Sequence, residues 1–275
     1  MRAAIATQPG SQETANEDWA GVAAPGLVAV VLDGLSAPDS TGTGCRHGTP
    51  WYVSQLGPRL LALAADPSRS LADALAEAIR QVASLHPGCD LTHPGTPSAT
   101  VVLLRALDDR ADYLALADAT LLLDTADGLQ VISDERVNQL AGKEREAANQ
   151  VPTGSALKLR RRAQLTRALR RARNRPGGYW VAAADPQAAS QAVTGTLPAT
   201  SLRRAVLLSD GASRLVALFE LATWEELLAL LDESGPDELL RQVRAAEAVD
   251  PDGRQWPRTK RSDDATAVYL VLSDG

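Results

Sequence analysis

The sequence predicts an α+β fold in which helices pack outside β-sheets. Short apolar runs rich in Val and Leu, typical of buried strands, do not alternate regularly with helical segments. Two helical segments follow an early apolar run, several apolar runs then come together, and helical segments return before a last apolar run. This order argues against a regular βαβ alternation and favours sheets covered by helices.

The predicted strands are apolar runs that mostly end at Gly, Asp or Ser. In chain order they are residues 27–32, 99–107, 113–124, 129–133, 179–184, 205–208 and 265–272. Ala126-Asp127-Gly128 separates two of these runs and predicts a hairpin turn.

The predicted helices have apolar residues at helical spacing and cover residues 50–65, 70–85, 223–231 and 236–248. Gly57-Pro58 is expected to bend or split the first of them, because proline cannot donate the intrahelical hydrogen bond. Ser70 is the expected N-cap of the second helix. Thr223 and Gly235 suit the boundaries of the last two helices.

The composition indicates a globular protein with a single domain over residues 1–275, 45% of them apolar. A net charge of −6 argues against nucleic acid as a partner. The sequence shows neither a signal peptide nor an apolar run of about 20 residues, so we expect no membrane association and a cytoplasmic location. Cys45 and Cys89 lack CxxC spacing, which argues against a zinc site.

A basic stretch at 157–176 lies within a longer segment at about 136–176. One interpretation is a solvated amphipathic helix with Leu159, Leu165 and Leu169 as its buried stripe. The other is a positive rim that attracts phosphate or an acidic partner. A DNA-binding role is disfavoured because the rest of the chain is acidic.

Carboxylates recur at or beside the ends of apolar runs. The blocks are Asn16-Glu17-Asp18, Asp33-Gly34, Ser209-Asp210-Gly211 and Asp263-Asp264-Ala265-Thr266, and Asp118 interrupts the run 114–123. A buried carboxylate costs free energy unless it is paired or bound to a metal. Hard cations such as Mg²⁺ and Mn²⁺ take oxygen ligands, so the set is a candidate metal site. The alternative role for each carboxylate is to form a turn or cap a helix.

In its order and context this set resembles the protein phosphatase 2C family. Pro97-Ser98-Ala99-Thr100 and Leu116-Ala117-Asp118-Ala119 are similar to further blocks of that family. The resemblance implies a four-layer αββα sandwich with two central, mostly antiparallel sheets flanked by helices. It also implies a metal-dependent hydrolase of phosphomonoesters, acting on phosphoserine and phosphothreonine of proteins through a water that two metal ions share.

The resemblance implies roles for particular residues. Asp33 would bridge two Mg²⁺ or Mn²⁺ ions, with Asp210 and Asp263 holding one of them. Glu17 and the Gly34 carbonyl would hold the other. Asp118 would serve a third, weaker ion. Asp18 and Asp264 would support these ligands through hydrogen bonds.

Three departures from the family pattern leave other functions open. Glu13 stands where the family has an arginine that binds phosphate, and a carboxylate repels a phosphate dianion. Leu35-Ser36-Ala37 replaces a glycine-rich block. The unusual loop 36–50 carries Arg46 and His47, which could bind phosphate or act as a general acid, or could simply belong to a structural loop.

The alternatives to a protein phosphatase are a catalytically impaired regulator of the same fold and a hydrolase that acts on a small phosphorylated molecule.

Overall fold

The computed structural model describes residues 2–24, 27–35 and 42–272. Within these ranges, ten strands form two five-stranded sheets, and every pairing of neighbouring strands is antiparallel. The predicted sandwich of two antiparallel sheets flanked by helices is confirmed.

The first sheet has the order β2-β3-β4-β5-β8. These strands are β2 (Trp19–Ala23), β3 (Val28–Gly34), β4 (Ala99–Ala106), β5 (Arg110–Leu116) and β8 (Val193–Pro198). The second sheet has the order β1-β10-β9-β6-β7. These strands are β1 (Arg2–Gln8), β6 (Thr120–Thr125), β7 (Gly128–Ile132), β9 (Leu202–Leu208) and β10 (Ala265–Val271).

Seven α-helices accompany the sheets in the described part of the chain. They are α1 (Gly48–Ala64), α2 (Leu71–Ser84), α3 (Gly142–Asn149), α4 (Ala156–Ala172), α5 (Asp210–Ala217), α6 (Trp224–Ser234) and α7 (Pro236–Val249). The predicted caps are present: Ser70 accepts a hydrogen bond from the Asp73 N–H, and Thr223 forms a capping box with Glu226. Among the described helices, none is both long and apolar enough to cross a membrane.

Alternation along the strands divides the core into layers. Leu32, Val101 and Leu103 pack against α1 and α2 on one face of the first sheet. Val31 and Val102, on the opposite face, meet residues of the second sheet. The outer face of the second sheet packs against α5, α6 and α7. Period-two alternation thus produces the two helix–sheet cores and the sheet–sheet core.

Three sequence expectations need correction. The run 113–124 is not one strand, because the chain leaves the first sheet after Leu116 and enters the second at Thr120. Residues 179–184 form only isolated bridges, one of which joins Ala182 to Ala99. Gly57-Pro58 does not interrupt α1. Pro58 lies on the exposed side of that helix, where water can satisfy the carbonyl left without a donor.

The basic helix α4 also differs in part from its expectation. Leu165 is buried and Leu169 packs against a small apolar cluster, as predicted. Leu159 is exposed instead. The side chain of Lys158 is buried on this helix and donates hydrogen bonds to the Ala148 and Val151 carbonyls, which tie α4 to the end of α3.

Candidate active site

The ends of strands from both sheets meet at one edge of the sandwich and carry the predicted carboxylates. Asp33 lies near the end of β3 in the first sheet, and Asp210 begins α5 directly after β9 in the second. The Asp210 N–H donates a hydrogen bond to Asp33 Oδ2 over 3.1 Å. Asp263 lies in the loop that precedes β10. The fold therefore brings together residues that are far apart in sequence.

The glycines that follow Asp33 and Asp210 permit close backbone packing. A Cβ on Gly34 would overlap the Glu17 carbonyl oxygen, and one on Gly211 would overlap the Asp264 carbonyl oxygen. Both Asp-Gly pairs thus have a structural reason for the glycine, which is the close approach of another backbone.

Asp118 lies in the turn where the chain crosses from β5 to β6, and so from one sheet to the other. Ala117 adopts a left-handed conformation there, with φ of 64°, which is uncommon for a residue with a Cβ. Asp134 supports this turn, because its N–H donates to the Ala117 carbonyl and its carboxylate accepts from the Ala117 N–H. Asp118 is thus presented at a sheet crossing and not from within a strand.

Burial and mutual repulsion disfavour the charged forms of these carboxylates. Burial, followed by the charge of Asp210, raises the pKa of Asp33 well above its ordinary value. The same two causes raise the pKa of Asp118 to about 7. Burial and the charge of Asp263 raise the pKa of Asp210. A bound divalent cation would remove this repulsion, so the donor set suits Mg²⁺ or Mn²⁺.

Asp263 differs because two cations already neutralise it. Lys260 Nζ donates a hydrogen bond to Asp263 Oδ1, and Arg214 donates to Oδ2 over 2.9 Å. Although burial raises the pKa of Asp263, Lys260 and Arg214 lower it below its ordinary value. Arg214 is also held by Glu247, at 2.8 Å. Both oxygens of this predicted metal ligand are therefore paired with side chains of the chain itself.

The loop of residues 10–17 is fixed to the site by Asp264. Its carboxylate accepts hydrogen bonds from the backbone N–H groups of Gly10, at 2.7 Å, and Glu17, at 2.6 Å. This agrees with the supporting role expected for Asp264. Asp18, at the start of the following segment, is buried, and burial raises its pKa to about 8.

Two adjoining cavities open at this edge. The smaller, of about 170 Å³, is lined by Asp33, Gly34, Asp118, Asp210 and Asp263 among others. The larger, of about 660 Å³, is lined by Glu17, Asp263 and Asp264 together with residues of the 10–15 loop. Arg162, Lys260 and Asp263 line both cavities, so two basic side chains and one carboxylate lie where the cavities adjoin.

Three other residues singled out in the sequence are placed as follows. Glu13 and Arg46 are exposed, and neither is among the described residues that line the two cavities. The His47 ring lies beside Cys45, Cys89 and His86, outside both cavities. The structure therefore brings together Glu17, Gly34 and the predicted aspartates but not Arg46 or His47.

Sequence reasoning did not identify the cations of the site. In the sequence Arg162 is one of many basic residues of the stretch 157–176, and no pattern distinguishes Lys260 or Arg214. Lys260 and Asp263 are three residues apart and form an ion pair in one loop. Ordinary surface ion pairs have the same spacing, so the spacing does not mark Lys260 as a residue of the site. The fold is what brings Arg214 and Arg162 to the charge of Asp263.

Several proteins of known structure share the fold of this chain. No curated protein sequence matches the chain. Solved structures match nearly all of it. The serine/threonine phosphatase Stp1 of Staphylococcus aureus has a TM-score of 0.59 at 12% identity, with 99% of this chain and 95% of that chain covered. The serine/threonine phosphatase PstP/Ppp of Mycobacterium tuberculosis has a TM-score of 0.57 at 17% identity, with 99% of both chains covered.

PppA of Pseudomonas aeruginosa is similar to the same extent, with a TM-score of 0.54 at 18% identity over 98% of this chain and 96% of that chain. At these identities the likeness establishes the fold. A sequence profile of protein phosphatase 2C matches residues 11–244, which include Glu17, Asp33, Asp118 and Asp210. The chain therefore belongs to the protein phosphatase 2C family.

Proposed function

We propose that the chain is a metal-dependent phosphatase that hydrolyses phosphoserine and phosphothreonine esters of proteins. The observation that carries this proposal is the crowding of Asp33, Asp118 and Asp210, three half-buried carboxylates from separate elements whose pKa values are raised by burial and by the charge of neighbouring carboxylates. Such an arrangement is unfavourable without a cation and suits hard divalent metals.

Asp33, Asp210 and the Gly34 carbonyl would hold two Mg²⁺ or Mn²⁺ ions together with Glu17, and Asp118 would serve a third. Bound there, the ions would supply positive charge beside a phosphoryl group and lower the pKa of a water molecule. Asp263 would join the set only after exchange of its contacts with Lys260 and Arg214.

Arg162 is the proposed phosphate ligand. It replaces the arginine that the family has at the position of Glu13, and Arg46 and His47 are poorly placed for this role. Arg162 is half-buried on α4 and lines both cavities, so its guanidinium can reach a phosphate that sits between them. Guanidinium groups bind phosphate through paired hydrogen bonds. The basic stretch would then contribute to the site through one face of α4.

The proposal is tested by hydrolysis of p-nitrophenyl phosphate and a phosphothreonine peptide with and without Mn²⁺. Wild type should be active only with metal, and Asp33→Asn should reduce kcat/KM by about 100-fold or more, since one metal-ion ligand charge is lost. Asp127→Asn is the matched control, because it changes the exposed Asp-Gly pair of the β6–β7 hairpin. Equal activity of wild type and Asp33→Asn would refute the proposal.

A second candidate function is that of a catalytically impaired regulator. The pairing of both Asp263 oxygens with Lys260 and Arg214 favours it, because the chain neutralises one of its own expected metal ligands. Metal binding by calorimetry without hydrolysis of any phosphoester would support this candidate. Hydrolysis confined to small phosphorylated metabolites would instead indicate a small-molecule hydrolase on the same centre.

A further inference from the structure

A second group of potential metal ligands lies outside the acidic site. Cys45 and His47 come from the loop before α1, and His86 and Cys89 come from the loop after α2. One ligand atom from each of the four residues lies within 4.8 Å of all the others. Two loops that are distant in sequence thus converge on one point.

The separations within this group match tetrahedral coordination. Cys45 Sγ lies 3.5 Å from His47 Nδ1 and 3.9 Å from His86 Nδ1, and Cys89 Sγ lies 3.7 Å from His47 Nδ1. With zinc–sulfur distances of about 2.3 Å and zinc–nitrogen distances of about 2.0 Å, a tetrahedral site separates sulfur from nitrogen by about 3.5 Å. The observed distances agree with this value within a few tenths of an ångström.

The side chains have few other roles that would explain this arrangement. Both cysteines are free thiols, so no disulfide accounts for their proximity. His86 is only 7% exposed, and its Nε2 is buried with no hydrogen-bond partner. The nitrogen of His86 that faces Cys45 Sγ is Nδ1, so a metal bound there would leave Nε2 unchanged, and the case for a metal rests on the convergence of the four ligand atoms.

The surroundings hold the ligands in place. The Trp51 ring stacks on the His47 ring with 4.2 Å between centroids and lies 4.7 Å from the His86 ring. The Asp90 N–H donates to the Gly44 carbonyl over 2.8 Å, which joins the two loops directly. Since His47 immediately precedes α1 and α2 ends at Ser84, the group links the open end of a helical hairpin.

We propose that Cys45, His47, His86 and Cys89 bind one zinc ion at a closed, structural site. Four protein ligands leave no open position for a substrate, and thiolate and imidazole ligands suit zinc and not Mg²⁺ or Mn²⁺. The sequence argument against zinc depended on the missing CxxC spacing. The ligands instead come as a Cys-x-His pair and a His-x-x-Cys pair.

The site would fix the two loops that adjoin the acidic residues. One loop follows β3, which carries Asp33, and the other precedes β4, whose Thr100 pairs with Asp33 across the first sheet. The zinc proposal does not depend on phosphatase activity, because its evidence comes entirely from the Cys/His group.

The test is the zinc content of untagged, reduced protein, measured by mass spectrometry, together with Zn²⁺ titration of the metal-free form. Wild type should hold one zinc per chain even with excess Mg²⁺, and Cys45→Ser with Cys89→Ser should abolish it. His93→Asn is the matched control, because His93 lies in the same loop but outside the group. Asp33→Asn should also keep its zinc, which separates this site from the acidic one.

Cobalt substitution gives a readout that does not require a folded variant. Co²⁺ in wild type should show thiolate charge-transfer bands and the intense visible bands of tetrahedral coordination. A zinc chelator should lower the melting temperature of wild type by several degrees, since metal binding is coupled to folding. Wild type that binds no zinc, or that binds cobalt without thiolate bands, would overturn the proposal.

Discussion

Lys260 places a fixed positive charge among the proposed metal ligands. Its Nζ contacts Asp263, and although burial opposes the charge, Asp263 and Asp210 raise the pKa of Lys260 above its ordinary value. The lysine therefore stays charged at neutral pH and competes with a divalent cation for the same carboxylates.

We expect Lys260→Met to increase the affinity for Mn²⁺ by about tenfold or more, because one repelling charge is removed and Asp263 Oδ1 loses its cationic partner. Isothermal titration with Mn²⁺ measures this change. Lys143→Met is the matched control, since Lys143 is exposed on α3 and lines neither cavity. Unchanged or weaker Mn²⁺ binding by Lys260→Met would show that the lysine does not compete.

At the scale of the element, α1 contains a glycine that helix propensity alone would disfavour. Gly57 faces the first sheet, and a Cβ there would overlap the ring of Trp19 from β2. The Trp19 ring also borders the space where a Cβ on Gly21 would lie. The helix can thus approach the edge of the sheet only because this position has no side chain.

Gly57→Ala should therefore destabilise the protein by about 1–3 kcal/mol through overpacking, although alanine is the better helix former by about 1 kcal/mol. Urea unfolding followed by circular dichroism measures the change. Gly142→Ala at the start of α3 should change stability by less than about 1 kcal/mol, because nothing lies near its Cβ position. A Gly57→Ala variant that is more stable than wild type would mean that the Trp19 ring moves aside at little cost in free energy.

Individual elements show where sequence patterns succeed and fail. Ser70 and Thr223 were recognisable as caps because capping depends on neighbouring residues only. The crossing at Asp118 was not recognisable, because residues buried in either sheet are equally apolar and the run continues through it. The continuity of α1 across Pro58 depends on which side of the helix faces water, and that is decided by tertiary packing.

In the candidate site, too, some features could be predicted from the sequence and others depend on tertiary structure. The meeting of Glu17, Asp33, Asp210 and Asp263 at one edge of the sandwich could be predicted, because these residues follow a family order along the chain. Their role as metal ligands stays a prediction. The position of Arg162 beside the acidic residues could not be predicted, nor could the Cys/His group, because each depends on contacts between segments that are distant in sequence. Pairs such as Cys45 and His47 carry too little local information to distinguish a metal site from an ordinary loop.

At the scale of the whole molecule, Arg105 joins the first sheet to the helical layer above it. This residue of β4 is 3% exposed and donates to Asp112 on β5 over 2.8 Å. It also donates to the carbonyls of Ala64, Asp66 and Arg69, which form the connection between α1 and α2. One guanidinium thus satisfies a buried carboxylate and the backbone of a helix connection.

Arg105→Ala should destabilise the protein by about 3–5 kcal/mol, because Asp112 and the helix connection lose their buried partner. Arg110→Ala is the control, since Arg110 contacts the same Asp112 from a side chain that is 39% exposed, and it should cost less than about 1 kcal/mol. Thermal unfolding of both variants tests the difference. If both variants lost the same stability, burial would not determine how much each ion pair with Asp112 contributes to the free energy of unfolding.

The carboxylates of the site come from both sheets, with Asp33 on the first and Asp210 after a strand of the second. Any slip of one sheet over the other would therefore change the spacing of these two side chains directly. Interior residues such as Val31 and Leu207 pack between the sheets. Their packing therefore determines the distance between Asp33 and Asp210, although neither residue contacts the site. A substitution there could leave the protein folded and still slow its turnover, although it touches no residue of the site.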